Sequence, residues 1–89
     1  MRQLIDRVRA EQFASKQLEV LSASLNMIGQ LSANDARTIV QLFKYAQDQK
    51  AAINNLFPKV FDKQNMMTVI SVMQYESDRE ELKRKYNVM

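Results

Sequence analysis

The tetrad Asp62-Lys63-Gln64-Asn65 places a carboxylate and an amide oxygen three residues apart, a hard-oxygen pair of the kind divalent cations favour. Calcium loops draw several more ligands from within about a dozen residues. Here the intervening residues are a lysine and a glutamine, so the spacing reads instead as a helix N-cap accepting from first-turn amides. The chain has no cysteine and no histidine. Thiolate nucleophiles, Cys/His zinc sites and imidazole acid–base chemistry are therefore excluded. Ser15-Lys16 and the scattered acidic pairs lack any phosphate-cradling glycine loop, since Gly29 is the single glycine of the sequence. No catalytic residue, metal ligand or cofactor site is expected, and the chain reads as a non-enzyme.

Binding chemistry has more candidates. Lys83-Arg84-Lys85 is the one run of three basic residues, and with Arg79 it can meet phosphate, an anionic lipid surface or an acidic partner. The same charges also complement the negative end of a terminal helix dipole, which is the blander explanation. Met66, Met67 and Met73 bring adaptable thioethers. Met66 and Met73 fall on an apolar stripe, which leaves Met67 as the exposed candidate for partner contact. Phe13, Tyr45 and Tyr75 have the ring chemistry of a base-stacking set. Each ring ends an apolar stripe, however, and a core or hairpin-corner position is the expectation.

The elements that must position these residues are helical. With one glycine and one proline in 89 residues, tight hairpin turns are scarce, whereas Gln, Lys, Leu, Ala, Met and Glu are plentiful. Apolar residues make up 46% and charged residues 26%, an ordinary balance for a folded, soluble domain. The net charge of +3 is spread through mixed runs such as Asp78-Arg79-Glu80-Glu81, the pattern of a solvated helix face. No apolar run reaches the roughly 18 residues of a transmembrane helix, and the first residues lack a signal-peptide core.

Displacing the sequence against itself by about 30 residues exposes an internal repeat. Leu31-Ser32 then falls on Phe61-Asp62, Ile39-Val40 on Val69-Ile70, Leu42-Phe43 on Val72-Met73, Tyr45 on Tyr75 and Asp48 on Asp78. A further two-residue shift brings Phe13-Ala14-Ser15-Lys16 onto Tyr45-Ala46-Gln47-Asp48. The units run roughly over 1–30, 31–60 and 61–89. Each reads as a helix, a cap region with an aromatic residue, and a second helix.

Ser32 or Asn34 is expected to cap the first helix of the middle unit, and Asp62 to play the same part for its own helix in the third. The second helices are expected to start near Ser15, near Gln47 or Asp48, and at Ser77, where Ser77-Asp78-Arg79-Glu80 has capping-box spacing. Their stripes are Leu18, Leu21, Leu25 and Ile28; Ala52, Ile53, Leu56 and Phe57; and Leu82 and Tyr86. Gly29 is expected at a left-handed helix terminus, and Pro58 at the end of the fourth helix.

Leu56-Phe57-Pro58-Lys59-Val60-Phe61-Asp62-Lys63-Gln64-Asn65, an apolar helix, and then Tyr75-Glu76-Ser77 together resemble an uncharacterised helical family, the one catalogued as domain of unknown function forty-four seventy-six. Phe13-Ala14-Ser15-Lys16-Gln17-Leu18 fits its first repeat, so the likeness covers nearly the whole chain. Lys50 and Glu80 depart from the pattern by standing where an apolar residue is expected. The resemblance implies a repetitive helical module without a known activity, and it carries over no functional residue.

These readings converge on a single all-α domain over 1–89, with about six short helices as three helix-turn-helix units in a compact bundle or short superhelical stack. The expected function is a protein or peptide interaction module, one part of a larger protein. Partner contacts are assigned to Arg79, Lys83, Arg84, Lys85 and Met67. The alternative is an electrostatic binder of nucleic acid or anionic membrane through the basic C-terminal helix.

Overall fold

Short helices of this composition are marginal alone, so each survives by burying a stripe against its neighbours. A computed structural model describes residues 2–87. Its six α-helices are α1 (Arg2–Ala10), α2 (Ala14–Leu25), α3 (Ala33–Val40), α4 (Ala46–Leu56), α5 (Met66–Ile70) and α6 (Glu76–Tyr86). Two 3-10 turns, Phe57–Lys59 and Lys63–Asn65, lie between α4 and α5. The fold is a small all-α bundle with principal extents of 32 × 26 × 16 Å.

The packing follows chain order in two layers. The first helix of each pair sits on the next first helix, α1 on α3 and α3 on α5, while α2 packs on α4 and α4 on α6. One continuous core runs between the layers, from Leu4 and Val8 through Leu21, Ile39, Phe43, Ile53, Leu56 and Val69 to Leu82. The stripes read from the sequence lie in or against it. Leu42, however, is only half-buried, and its neighbour Phe43 takes the interior position.

Segments aligned by the 30-residue displacement share their turn geometry. After α3, the amides of Leu42 and Phe43 donate to the carbonyls of Ile39 and Val40 at 3.0 and 3.1 Å; after α5, Val72 and Met73 donate to Val69 and Ile70 at 3.2 and 3.0 Å. The two chain segments that lead into this pair of units also meet. Leu31 and Val60 form an isolated parallel bridge, with the Leu31 amide on the Lys59 carbonyl and the Phe61 amide on the Leu31 carbonyl, both at 3.0 Å.

Capping differs from the sequence expectation in three places. Ser32 does cap α3, accepting from the Asp35 amide at 3.1 Å. Asp62 makes no cap bond to its own unit; its Oδ1 reaches back to the Ala33 amide, the first of α3, at 2.7 Å. The segment it was expected to cap is instead a 3-10 turn followed by the short α5. Ser77 is not a cap and forms no capping box: α6 begins at Glu76, with Tyr75 in the N-cap position. Gly29 lies beyond the end of α2, has no positive φ, and an added Cβ there would meet nothing within 4 Å. The left-handed terminus belongs to Asn87 (φ 56°), the C-cap of α6. Pro58 does end α4, by opening into the 3-10 turn.

Candidate functional site

The basic residues of the C-terminal helix are largely engaged. Arg79 turns inward, and its guanidinium donates to the carbonyls of Met73 at 2.7 Å and Gln74 at 3.2 Å. Lys83 pairs with Glu80 at 3.3 Å. Lys85 donates to Asn54 Oδ1 at 3.1 Å and lies over the Tyr86 ring. Arg84 is exposed and makes no ion pair among the described residues. Met67 is half-buried rather than free on the surface. These five residues therefore do not converge on one site, and Arg79 closes a hairpin turn.

Tyr86 and its surroundings fasten α6 to α4. The Tyr86 ring stacks on Phe57 with centroids 4.0 Å apart and planes inclined by 19°. Its hydroxyl hydrogen-bonds Asn54 Oδ1, and burial raises its pKa above the ordinary phenol value. Lys50 reaches from α4 to Asp78 at 2.8 Å and Glu81 at 3.3 Å. The Asp78 contact, followed by Glu81, outweighs partial desolvation and raises the lysine pKa. The Lys50 charge is thus satisfied across a helix interface.

These contacts fix helix direction. Lys50 meets Asp78 and Glu81, and Asn54, one turn further along α4, meets Lys85 and Tyr86. The two helices therefore run parallel, and their first residues lie on the same side of the bundle. The helix starts are marked by aromatics. Phe13, Tyr45 and Tyr75 are the N-cap residues of α2, α4 and α6, all in extended conformation and none making a side-chain cap bond.

Serine, threonine, aspartate or asparagine is favoured at that position, and an aromatic ring contributes no acceptor there. The rings do not repay this by packing inward, for Phe13 is 67%, Tyr45 68% and Tyr75 55% exposed. The corner position expected from the sequence is observed, and the core position is overturned.

Four residues after each ring, a side chain closes the corner. Gln17 Nε2 donates to the Val8 carbonyl at 3.1 Å, Gln49 Nε2 to Phe43 at 3.0 Å, and Arg79 to Met73 at 2.7 Å. Sequence reasoning missed this set, although the alignment of Phe13-Ala14 with Tyr45-Ala46 puts Gln17 on Gln49. At Phe43 and Met73 the side chain supplies a donor to a carbonyl near the end of a first helix, and at Val8 it adds a second donor beside the Glu11 amide at 3.2 Å.

Between the first two corners lies a groove of about 620 Å³, whose lining includes Arg9, Glu11, Phe13, Leu42, Lys44 and Tyr45. That volume is in the range of ligand sites. Its cations are available: Lys44 makes no ion pair among the described residues, and Arg9 reaches only Asp6, at 3.9 Å with both side chains more than half exposed. By contrast, the Asp62-Asn65 pair offers no cation site. Asp62 Oδ1 holds the Ala33 amide and Oδ2 accepts from Asn65 Nδ2 at 3.0 Å. The asparagine first and the Ala33 amide second hold that carboxyl below the usual aspartate range.

Helix order, core and corners together define a small all-α domain of paired helices. The chain belongs to the family described as Domain of unknown function (DUF4476), whose model matches residues 1–86. No curated protein and no solved structure matches the chain. None of its helices among the described residues is long and apolar enough to cross a membrane.

Proposed function

We propose that this domain is a non-catalytic interaction module, built of three repeated helical hairpins, that binds an extended segment of a partner protein along the edge bearing Phe13, Tyr45 and Tyr75. The observation that carries this reading is the exposure of all three rings at helix starts where a capping residue would add stability. Large exposed aromatics on rigid turns supply contact area at low entropic cost, and such residues dominate the energetics of protein interfaces. Stacked hairpins present their corners in a row, which suits a chain lying across them.

Single-stranded nucleic acid is the competing occupant, since exposed rings also stack bases. That mode needs cations tracking the whole strand. Here Lys44 and Arg9 gather at one groove, Arg79 is spent on two carbonyls, and Glu76 directly follows the third ring. The distribution favours a peptide over a polyphosphate backbone.

The test is selection of a random peptide library on the domain and on a Phe13→Ser/Tyr45→Ser/Tyr75→Ser variant. Enrichment on the wild type that is lost on the variant, with the melting temperature retained, supports the reading. Equal enrichment on both, or salt-sensitive binding of single-stranded DNA in preference to any peptide, overturns it.

A further inference from the structure

Resting on that reading, we infer that the groove between the first two corners takes an acidic residue of the partner segment next to an apolar or aromatic one. The groove combines two chemistries within one concavity. Phe13 and Tyr45 stand as exposed walls, with Leu42 half-buried between the corners, and this apolar part accepts one side chain. Lys44 and Arg9 occupy the same concavity, and Glu11 is the single acid among its lining residues. The two cations outnumber the acid; Lys44 makes no ion pair among the described residues, and Arg9 makes only the long, exposed contact with Asp6 at 3.9 Å.

A carboxylate entering here would exchange water for a charge-assisted hydrogen bond at a partly enclosed site. A lysine or arginine entering would be repelled by both cations. The apolar walls make charge alone insufficient, because a ligand with no side chain for the Phe13 and Tyr45 faces forfeits the larger contact area. The acid and the apolar group must therefore be near neighbours in the partner. In an extended chain, residues i and i+2 share a face, which puts both groups into the groove from one side.

The experiment uses fluorescently labelled extended peptides that place Glu, Ser or Lys two residues before a Phe, here the Glu-Phe, Ser-Phe and Lys-Phe peptides, titrated into the domain at low and physiological salt. The Glu-Phe peptide is expected to bind about tenfold more tightly than the Ser-Phe peptide, with the Lys-Phe peptide weakest. Lys44→Glu, a change at an exposed position, is expected to reverse the order of the Glu-Phe and Lys-Phe peptides.

Equal binding of the three peptides, lost in a Phe13→Ser/Tyr45→Ser variant, overturns the acidic preference while leaving the aromatic edge as the binding surface. Binding that survives loss of both rings, or no binding of any of the three, overturns the acidic preference and the edge together. Retention of the wild-type order in Lys44→Glu overturns the assignment of the cation.

Discussion

Asp62 Oδ1 accepts a hydrogen bond from the Ala33 amide at 2.7 Å, so the first turn of α3 is capped by a residue 29 positions further along the chain. Ser32 takes the Asp35 amide of the same turn at 3.1 Å. Two donors that a helix normally leaves open are thus met by two acceptors, one local and one distant. The neighbouring Leu31–Val60 bridge ties the same two chain segments together.

Removing these caps should separate their contributions. Ser32→Ala is expected to destabilise by about 0.5 to 2 kcal/mol in denaturant melts. Asp62→Ala should lower the melting temperature, and Asp62→Asn by less, because asparagine keeps an accepting oxygen. Chelator and added calcium should leave the wild-type melt unchanged. A chelator-sensitive melt would instead mark Asp62 as a metal ligand.

The Asp62 carboxyl also sets an acid limb. Its folded pKa lies below the ordinary aspartate value. Its contribution is therefore fully present above the unfolded pKa and is lost as pH falls toward and through the lowered folded one. Thermal melts of the wild type should drop across that acidic window, and Asp62→Asn should flatten this part of the profile. Parallel profiles for the two proteins would contradict the linkage.

The corner locks predict a graded series. Gln17→Ala and Gln49→Ala should each cost roughly 0.5 to 1.5 kcal/mol, the range for a neutral hydrogen bond. Arg79→Ala should cost more, since it removes charged donors from two carbonyls. Arg79→Gln should recover part of the loss, because glutamine fills this position at the other two corners. Chemical denaturation measures all four, and a neutral Arg79→Ala would sink the locking role.

Core truncations should divide by burial. Leu21, Ile39, Ile53, Leu56, Val69 and Ile70 are all buried, and replacing any of the leucines or isoleucines with alanine should cost on the order of 2 to 5 kcal/mol. Half-buried Leu42 should cost less. Equal losses at Leu42 and Leu21 would contradict the described packing.

Much of the fold was legible because burial in a helical pair leaves a periodic trace. Leu18, Leu21 and Leu25, or Ala52, Ile53 and Leu56, declare one face each, and Pro58 ends a helix by a local rule. The caps were less legible. A carboxylate three residues before an amide looks the same whether it serves its own helix or one in another unit, so the reach of Asp62 to Ala33 was visible only in three dimensions.

The aromatics misled for a related reason. Phe13, Tyr45 and Tyr75 adjoin apolar stripes, and rings in that setting usually point inward, but all three stand at N-cap positions and are exposed. Arg79 read as a surface charge because nothing local announces the Met73 carbonyl as its acceptor. Lys50, where the sequence reading expected an apolar residue, pairs with Asp78, a residue of another helix.

The most direct test of the aromatic edge as the binding surface is amide chemical-shift mapping of the labelled domain with a library-selected peptide. The expected result is a contiguous set of perturbations at the starts of α2, α4 and α6, around Phe13, Tyr45 and Tyr75, persisting at physiological salt. Perturbations centred on Lys83, Arg84 and Lys85 of α6, fading as salt is raised, would contradict it.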